Sequence, residues 1–289
     1  MPARLDLDDV RGSVVVAVDG SEHAVRALRW AADEAALERR HLTVVAVGDT
    51  AGASVAEATA AATLRHPDLP VTSNVVHGDP RQVLVDASAH AFELVLGSRG
   101  RGAVRSMLLG SVSATVSALA VCPVVVCRPV EPGAGRTGVV VGADGSPESL
   151  PVIEFAYRHA FLRGAPLTVL HSFFDAAAAV AQYHQARGEP AEVPELDDLR
   201  AALSASVAGL EEDYPGVPVT LTLQHGLADQ ALAPRHAQWD LVVVGRHPMQ
   251  SLGRLLTGSI ATAVLERATC PVAVVPESRT RSGGPSGDP

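Results

Sequence analysis

Short runs of unbroken apolar residues alternate along the chain with stretches whose apolar positions recur every three or four residues. Residues 13–18 read SVVVAV and stop at Asp19-Gly20-Ser21. A run that is apolar at every position, without in-and-out alternation, is the mark of a strand covered on both faces, as in a parallel sheet. Residues 22–39 follow with Val25, Leu28, Ala32 and Ala36 at helical spacing, which predicts a helix burying that stripe. Further strands are expected at 42–47, 71–77, 93–98 and 123–127, and helices near 53–65, 80–90 and 111–120. The order βαβαβαβαβ, with right-handed crossovers, gives an open parallel α/β sheet with helices on both faces.

The pattern occurs twice. SVVVAVDGSEHAVRALRWA (13–31) matches GVVVGADGSPESLPVIEFA (138–156), placing Asp144-Gly145-Ser146 opposite Asp19-Gly20-Ser21. Leu42-Thr43-Val44 matches Leu167-Thr168-Val169, Gly110-Ser111 matches Gly258-Ser259, and Cys122-Pro123 matches Cys270-Pro271. Two long copies are tandem domains, since a solenoid needs shorter units in larger number. The expected domains span 1–130 and 138–276, joined by EPGAGRTG (131–138) and followed by a polar, disordered tail at 277–289. Strands of the second copy are expected near 138–143, 166–172, 218–224, 240–245 and 271–275. This copy carries an insertion within about 171–218, which lengthens its second helix and the approach to it.

Composition narrows the chemistry. Among 289 residues, 47% are hydrophobic and only 3% aromatic, so the cores are built from Val, Leu and Ala. All 23 basic residues are Arg. Without Lys there is neither a Walker A loop nor a Schiff-base mechanism. A net charge of −9 disfavours non-specific binding to nucleic acid or anionic membrane, and no apolar run is long enough to span a bilayer. The acidic N-terminus lacks a signal-peptide core, and Cys122, Cys127 and Cys270 form no C-x-x-C pair. Buried free thiols in a cytoplasmic protein are expected.

In an open parallel sheet, ligands lie beyond the carboxyl ends of the strands. Asp19 stands there, as an acceptor for a ribose hydroxyl or an adenine edge, or as a strand-end residue helping to cap the next helix. At the end of the fourth strand stands GSRGRGAVRSMLLGS (97–111). Gly97, Gly100 and Gly110 permit close backbone approach, and Ser111 is a favoured N-cap for the helix that follows. The open N–H groups and positive dipole end at such a terminus attract an anion, with Arg99, Arg101 and Arg105 available for charge-assisted bonds. A flexible, arginine-solubilised loop is the plain alternative. The loop has no aromatic for stacking bases, which argues against an RNA-binding patch. DGSEHA after the first strand does not fit G-x-G-x-x-G, so a dinucleotide site is not expected. Neither a nucleophile elbow nor H-E-x-x-H is present, so no catalytic or metal-ligating set is assigned.

Gly97-x2-Gly100-x9-Gly110-Ser111, the valine-rich strand ending in Asp19-Gly20-Ser21, and the closing CPVVV strand together resemble the ATP-binding universal stress proteins, arranged here in tandem. The resemblance implies two Rossmann-like domains of the adenine nucleotide alpha hydrolase-like type, each a five-stranded parallel sheet of order 3-2-1-4-5. It implies an ATP site in which Asp19 meets the nucleoside, Gly97, Gly100, Gly110 and Ser111 hold the phosphates, and Val112 and Ser113 add contacts. Any Mg²⁺ would be held by the phosphates. It also implies pairing through the last strands, here as an intrachain pseudo-dimer, with a homodimer of such chains also allowed. The second copy keeps Asp144, Gly245, Gly258 and Ser259 but has Pro248 at the middle glycine. Proline lacks the N–H and fixes φ, so a weaker second site is expected. The function implied is nucleotide-dependent stress regulation, with a weak ATPase or a nucleotide-independent, chaperone-like scaffold as alternatives.

Overall fold

The computed structural model describes residues 5–48, 52–100, 109–129, 137–173, 196–234, 239–246 and 258–277. The first half contains strands β1 (Val14–Ala17), β2 (Leu42–Val47), β3 (Val71–Val76), β4 (Glu93–Gly97) and β5 (Val124–Cys127). Its helices are α1 (Leu7–Val10), α2 (Glu22–Leu37), α3 (Gly52–Arg65), α4 (Pro80–Ala87) and α5 (Ser111–Leu119). The second half contains β6 (Val139–Gly142), β7 (Leu167–Phe173), β8 (Val219–His225), β9 (Leu241–Arg246) and β10 (Val272–Pro276). Its helices are α6 (Leu150–Arg163), α7 (Leu196–Val207), α8 (Leu210–Asp213), α9 (Ala228–Leu232) and α10 (Gly258–Arg267).

The strands form one sheet in the order β3-β2-β1-β4-β5-β10-β9-β6-β7-β8. Pairing is parallel within each half. It is antiparallel at the junction, where Val272, Ala273 and Val274 face Val126, Val125 and Val124. Each half thereby covers an edge of the other that would expose unpaired backbone groups. Side chains alternate across the sheet. Val14 and Val16 enter one core with residues of α2, α3, α6 and α7. Val15 enters the other with residues of α1, α4, α5, α9 and α10. Both cores run through both halves, because the β5–β10 pair makes the sheet continuous.

Two details correct the sequence reading. Val25 is 44% exposed, and the buried stripe of α2 is Ala24, Ala27, Leu28, Ala31, Ala32 and Ala35. Alanines let the helix lie close on the sheet, so the small residues, not the larger Val25, choose the inward face. Glu277, assigned to the tail, instead continues the strand register, its N–H donating to the Arg246 carbonyl over 3.1 Å. The rest of the tail, the linker before Thr137 and residues 174–195 of the insertion lie outside the described residues. The described part of the insertion contributes α7 and α8, and Leu203, Val207 and Leu210 enter the core.

Arginines tie the halves together a second time. Arg128, one residue past β5, donates to the carbonyls of Ala268 and Glu266 at the end of α10, over 2.8 and 3.0 Å. Arg246, at the end of β9, donates to the carbonyl of Ala120, the C-cap of α5. Each half thus caps a helix of the other with a cation at its negative end. All three cysteines are buried and outside any disulfide, and burial pushes the Cys122 thiol up to about 12 and that of Cys127 higher still.

Candidate functional site

The candidate site of the first half is built at the carboxyl ends of β1 and β4. After β1 the chain turns through Gly20 at φ 78°, and the Asp19 carboxylate accepts the Ser21 N–H over 3.0 Å. Ser21 then caps α2, its hydroxyl accepting the Ala24 N–H over 3.2 Å. One oxygen of Asp19 is therefore spent locally, as the strand-end reading foresaw. The other lies 2.6 Å from where a Cβ on Gly100 would stand. Asp19 and Gly100 are direct neighbours across the site, and glycine at 100 is what makes room for the carboxylate.

Gly97 lies against the first turn of α2, where an added Cβ would come within 2.7 Å of the His23 carbonyl carbon. Gly110 donates its N–H to the Ser98 carbonyl over 2.8 Å and closes the loop. The N-cap of α5 is Gly110 itself, not Ser111 as expected, and no side chain caps this terminus. A nine-residue helix therefore opens beside Ser98–Gly100 with its first-turn N–H groups not covered by a side chain. Ser111 is exposed at the first helical position. Ser113 is buried, and its hydroxyl donates to the Gly97 carbonyl over 2.7 Å. Val112 packs half-buried against the core. The structure brings Asp19, Gly97, Gly100, Gly110 and Ser111 together, and it turns Ser113 and Val112 to holding the loop's base. Arg101 and Arg105 lie outside the described residues.

Two residues the sequence reading did not single out belong to this place. His23 Nδ1 lies 3.0 Å from Arg26 Nη2, which donates to it, and 3.0 Å from Ser98 Oγ. Burial, then Arg26 and Arg99, lower the His23 pKa, so the ring is neutral at pH 7. The Arg99 Nε is buried with no hydrogen-bond partner among the described residues. The charged groups around His23 are the cations Arg26 and Arg99 and the carboxylates of Glu22 and Asp19. A signal for His23 was present: the second copy has Glu148 at the matching position, a change of charge type within an otherwise similar turn.

The second half repeats the turn, with Gly145 at φ 78° and Asp144 accepting the Ser146 N–H over 2.9 Å. A cavity of about 140 Å³ opens there, lined among others by Asp144, His171, Ser172, Gly245 and Glu277. Glu277 differs most from the first half, where Pro129 occupies the matching position. Its Oε1 stands where a Cβ on Gly245 would go, so its carboxylate rests on the strand-end glycine. Gly258 and Ser259 open α10. Pro248 lies outside the described residues.

Two α/β halves in one sheet, each with an Asp-Gly-Ser turn and a glycine-framed helix start at its strand ends, define a tandem doubly wound protein. The chain belongs to the universal stress protein family, whose model matches residues 11–59, 49–128 and 136–276. It is 33% identical over 298 residues to Universal stress protein Rv2005c of Mycobacterium tuberculosis, covering 92% of this chain and 97% of that protein. A universal stress protein of Mycolicibacterium smegmatis is 32% identical over 288 residues, covering 91% and 96%. Among solved structures, a universal stress protein from Archaeoglobus fulgidus superposes with a TM-score of 0.64 at 20% identity, covering 91% of this chain and 98% of that one. A functionally unknown protein, PA1789 of Pseudomonas aeruginosa, gives 0.66 at 18% identity, covering 93% and 94%. At these identities the structures speak for the fold alone. No described helix is long and apolar enough to cross a membrane.

Proposed function

We propose that this protein is a nucleotide-dependent regulator of the stress response, acting in the cytoplasm, and that its first half binds an adenine nucleotide, ATP among them. The observation that carries this reading is the convergence of Asp19, Gly100 and the side-chain-uncapped N-terminus of α5 at the strand ends. The carboxylate receives hydroxyl or amino hydrogens of the nucleoside. The helix terminus and Arg99 receive phosphate. Any Mg²⁺ is carried by the phosphates. The nucleotide acts as a ligand whose presence changes the protein, not as a substrate. The units proposed are residues 1–130 and 138–276. The second half is proposed to bind phosphate-bearing ligands more weakly, since the Glu277 carboxylate rests on Gly245.

The primary test is mass spectrometry of nucleotide retained by the native protein, with melting curves in the absence and presence of ATP. Retained adenine nucleotide and a raised melting temperature are expected. A ligand present at a hundred times its Kd and bound only to the folded state adds about 2.7 kcal/mol. No retained nucleotide and no shift at millimolar ATP would overturn the reading. Asp19→Ala is expected to lower affinity for ATP and adenosine alike by about 10- to 100-fold, the worth of a charged hydrogen bond. If only ATP binding falls, Asp19 does not serve the nucleoside. Gly110→Val places a Cβ 3.3 Å from the Arg99 Cα and 3.5 Å from the Ser98 carbonyl oxygen, which small shifts can accommodate. It is expected to keep the fold and to lower ATP affinity by about tenfold or more, a cost of roughly 1.4 kcal/mol or above. Titration calorimetry measures both.

A further inference from the structure

At the opposite end of β4 from the candidate site lies a cluster that nucleotide binding does not use. Glu93 begins β4 and is fully buried, as are Glu34 of α2 and His159 of α6. Among the described residues, neither oxygen of the Glu93 carboxyl has a hydrogen-bond partner, and Glu34 Oε1 and His159 Nε2 also lack one. Three buried polar side chains left open toward one another, from both halves of the molecule, require a physical account.

The imidazole supplies it. Arg163 Nη1 lies 2.9 Å from His159 Nδ1, and a guanidinium can only donate. Nδ1 therefore holds the lone pair and Nε2 the proton. That N–H points between Glu34 Oε1 at 3.5 Å and Glu93 Oε2 at 3.8 Å. Arg163 also pairs with Glu34, and Arg158 Nε lies 2.8 Å from Glu38 Oε1. Two arginine charges thus face three carboxyl groups and a neutral imidazole. The cluster balances only when one carboxyl group keeps its proton. Single atoms of Glu34, Glu38 and His159 lie within 4.8 Å of one another, the span of a cation's ligand set. A cation needs the lone pair at Nε2, and the Arg163 contact places the proton there instead.

We propose that this cluster is a proton-operated lock between the two halves: Glu34 and Glu93 hold one proton between them while α2 and α6 face each other, and its release loosens that contact. In the release step a carboxyl O–H bond breaks, the electron pair stays on oxygen, and the proton goes to water. The cluster's charge changes from zero to minus one. An unpaired charge in a site without solvent is relieved only by admitting water, which means parting α2 of the first half from α6 of the second.

The groups facing Glu93 are Glu34 and Glu38 from α2, and Arg158, His159 and Arg163 from α6. From the side of β5, Cys122 and Cys127 sense it and stay protonated. Burial first, then the Glu34 charge, hold the Glu93 carboxyl well above the usual carboxylate range, and burial also raises Glu34. A raised folded-state pKa contributes stability that is complete below the unfolded value and is lost as pH rises through the folded one. The lock therefore opens on the alkaline side. The proposal is independent of nucleotide binding.

The test uses the full chain, its Glu93→Gln variant and, as a second variant, Glu34→Gln. The wild type at neutral pH is expected to show the infrared carbonyl band of a protonated carboxylic acid, and Glu93→Gln to lose it. Glu34→Gln should lose it too, because Glu93 is then free to ionise beside Arg163. From neutral pH to about pH 9.5, below the tyrosine and arginine range, the wild-type melting temperature should fall by several degrees more than that of either variant. The cysteines weaken all three proteins alike over that range, so the difference is the readout. The chain has no Lys to titrate there. A wild type without the acid band, or parallel pH profiles for all three proteins, would overturn the lock. A melting temperature that rises with Zn²⁺ or Mn²⁺ in the wild type alone would overturn it in favour of a cation site.

Discussion

Glu34→Ala is expected to destabilise the protein by about 3–5 kcal/mol, the cost of breaking a buried ion pair by removing one partner. Glu34 is fully buried, and its carboxylate is what Arg163, of the other half, pairs with. Without it, the half-buried Arg163 loses its partner over Trp30, and His159 is left between Trp30 and Phe155. The nearby Glu93 can ionise and recover part of the loss, which places the expected value toward the lower end. Denaturant unfolding at neutral pH measures it. Because the Glu34 carboxylate is fully buried, the loss should change less between low and high salt than for an exposed pair. An effect below about 1 kcal/mol, the range of exposed pairs, would mean that the contact between halves does not depend on this pair.

The second large effect is expected at Gly97. A Cβ there meets the His23 carbonyl carbon at 2.7 Å, its oxygen at 2.8 Å and its Cβ at 2.9 Å. These atoms belong to the first turn of α2, anchored by the Ser21 cap, so they cannot turn aside as a side-chain tip can. Gly97→Ala is expected to cost about 1–3 kcal/mol or more, as overpacking does. Gly100→Ala makes the comparison: among the described residues its Cβ meets only the Asp19 carboxylate. That side chain can shift at the cost of its bond to the Ser21 N–H, so the stability loss should be smaller than for Gly97→Ala while the site loses its carboxylate position and, under the proposed function, nucleotide affinity. Thermal unfolding and ATP titration of the two variants separate the roles. Equal stability loss in both would show that the two glycines do not divide the work between fold and ligand.

Much of this was legible in the chain. Strand runs such as SVVVAV and VCPVVVC lie where strands form, because a segment apolar on both faces has few other ways to be buried. The glycine spacing singled out Gly100, which the structure sets against Asp19. Helix faces were less legible. Val25 fits the helical period as well as Ala24 does, and which is buried depends on how close the sheet stands. The capping residue of α5 was misplaced by one, because Ser111 has the right chemistry but Gly110 has the backbone position.

The chain by itself determined the alternation of strand and helix, the duplication and the residues brought to the strand ends. These rest on local period, on turn chemistry and on repeated motifs. Only the tertiary structure decided what Glu93 is. In sequence it merely precedes Leu94, Val95 and Leu96. Its meaning comes from Glu34 and His159, which approach it because β5 and β10 join two sheets into one and set α2 opposite α6. The same holds for Glu277, which reads as the start of a polar tail and sits against Gly245 in the cavity of the second half. Long-range pairing places such groups, and no local pattern records it, because their partners are set by sheet closure and not by neighbours in the chain.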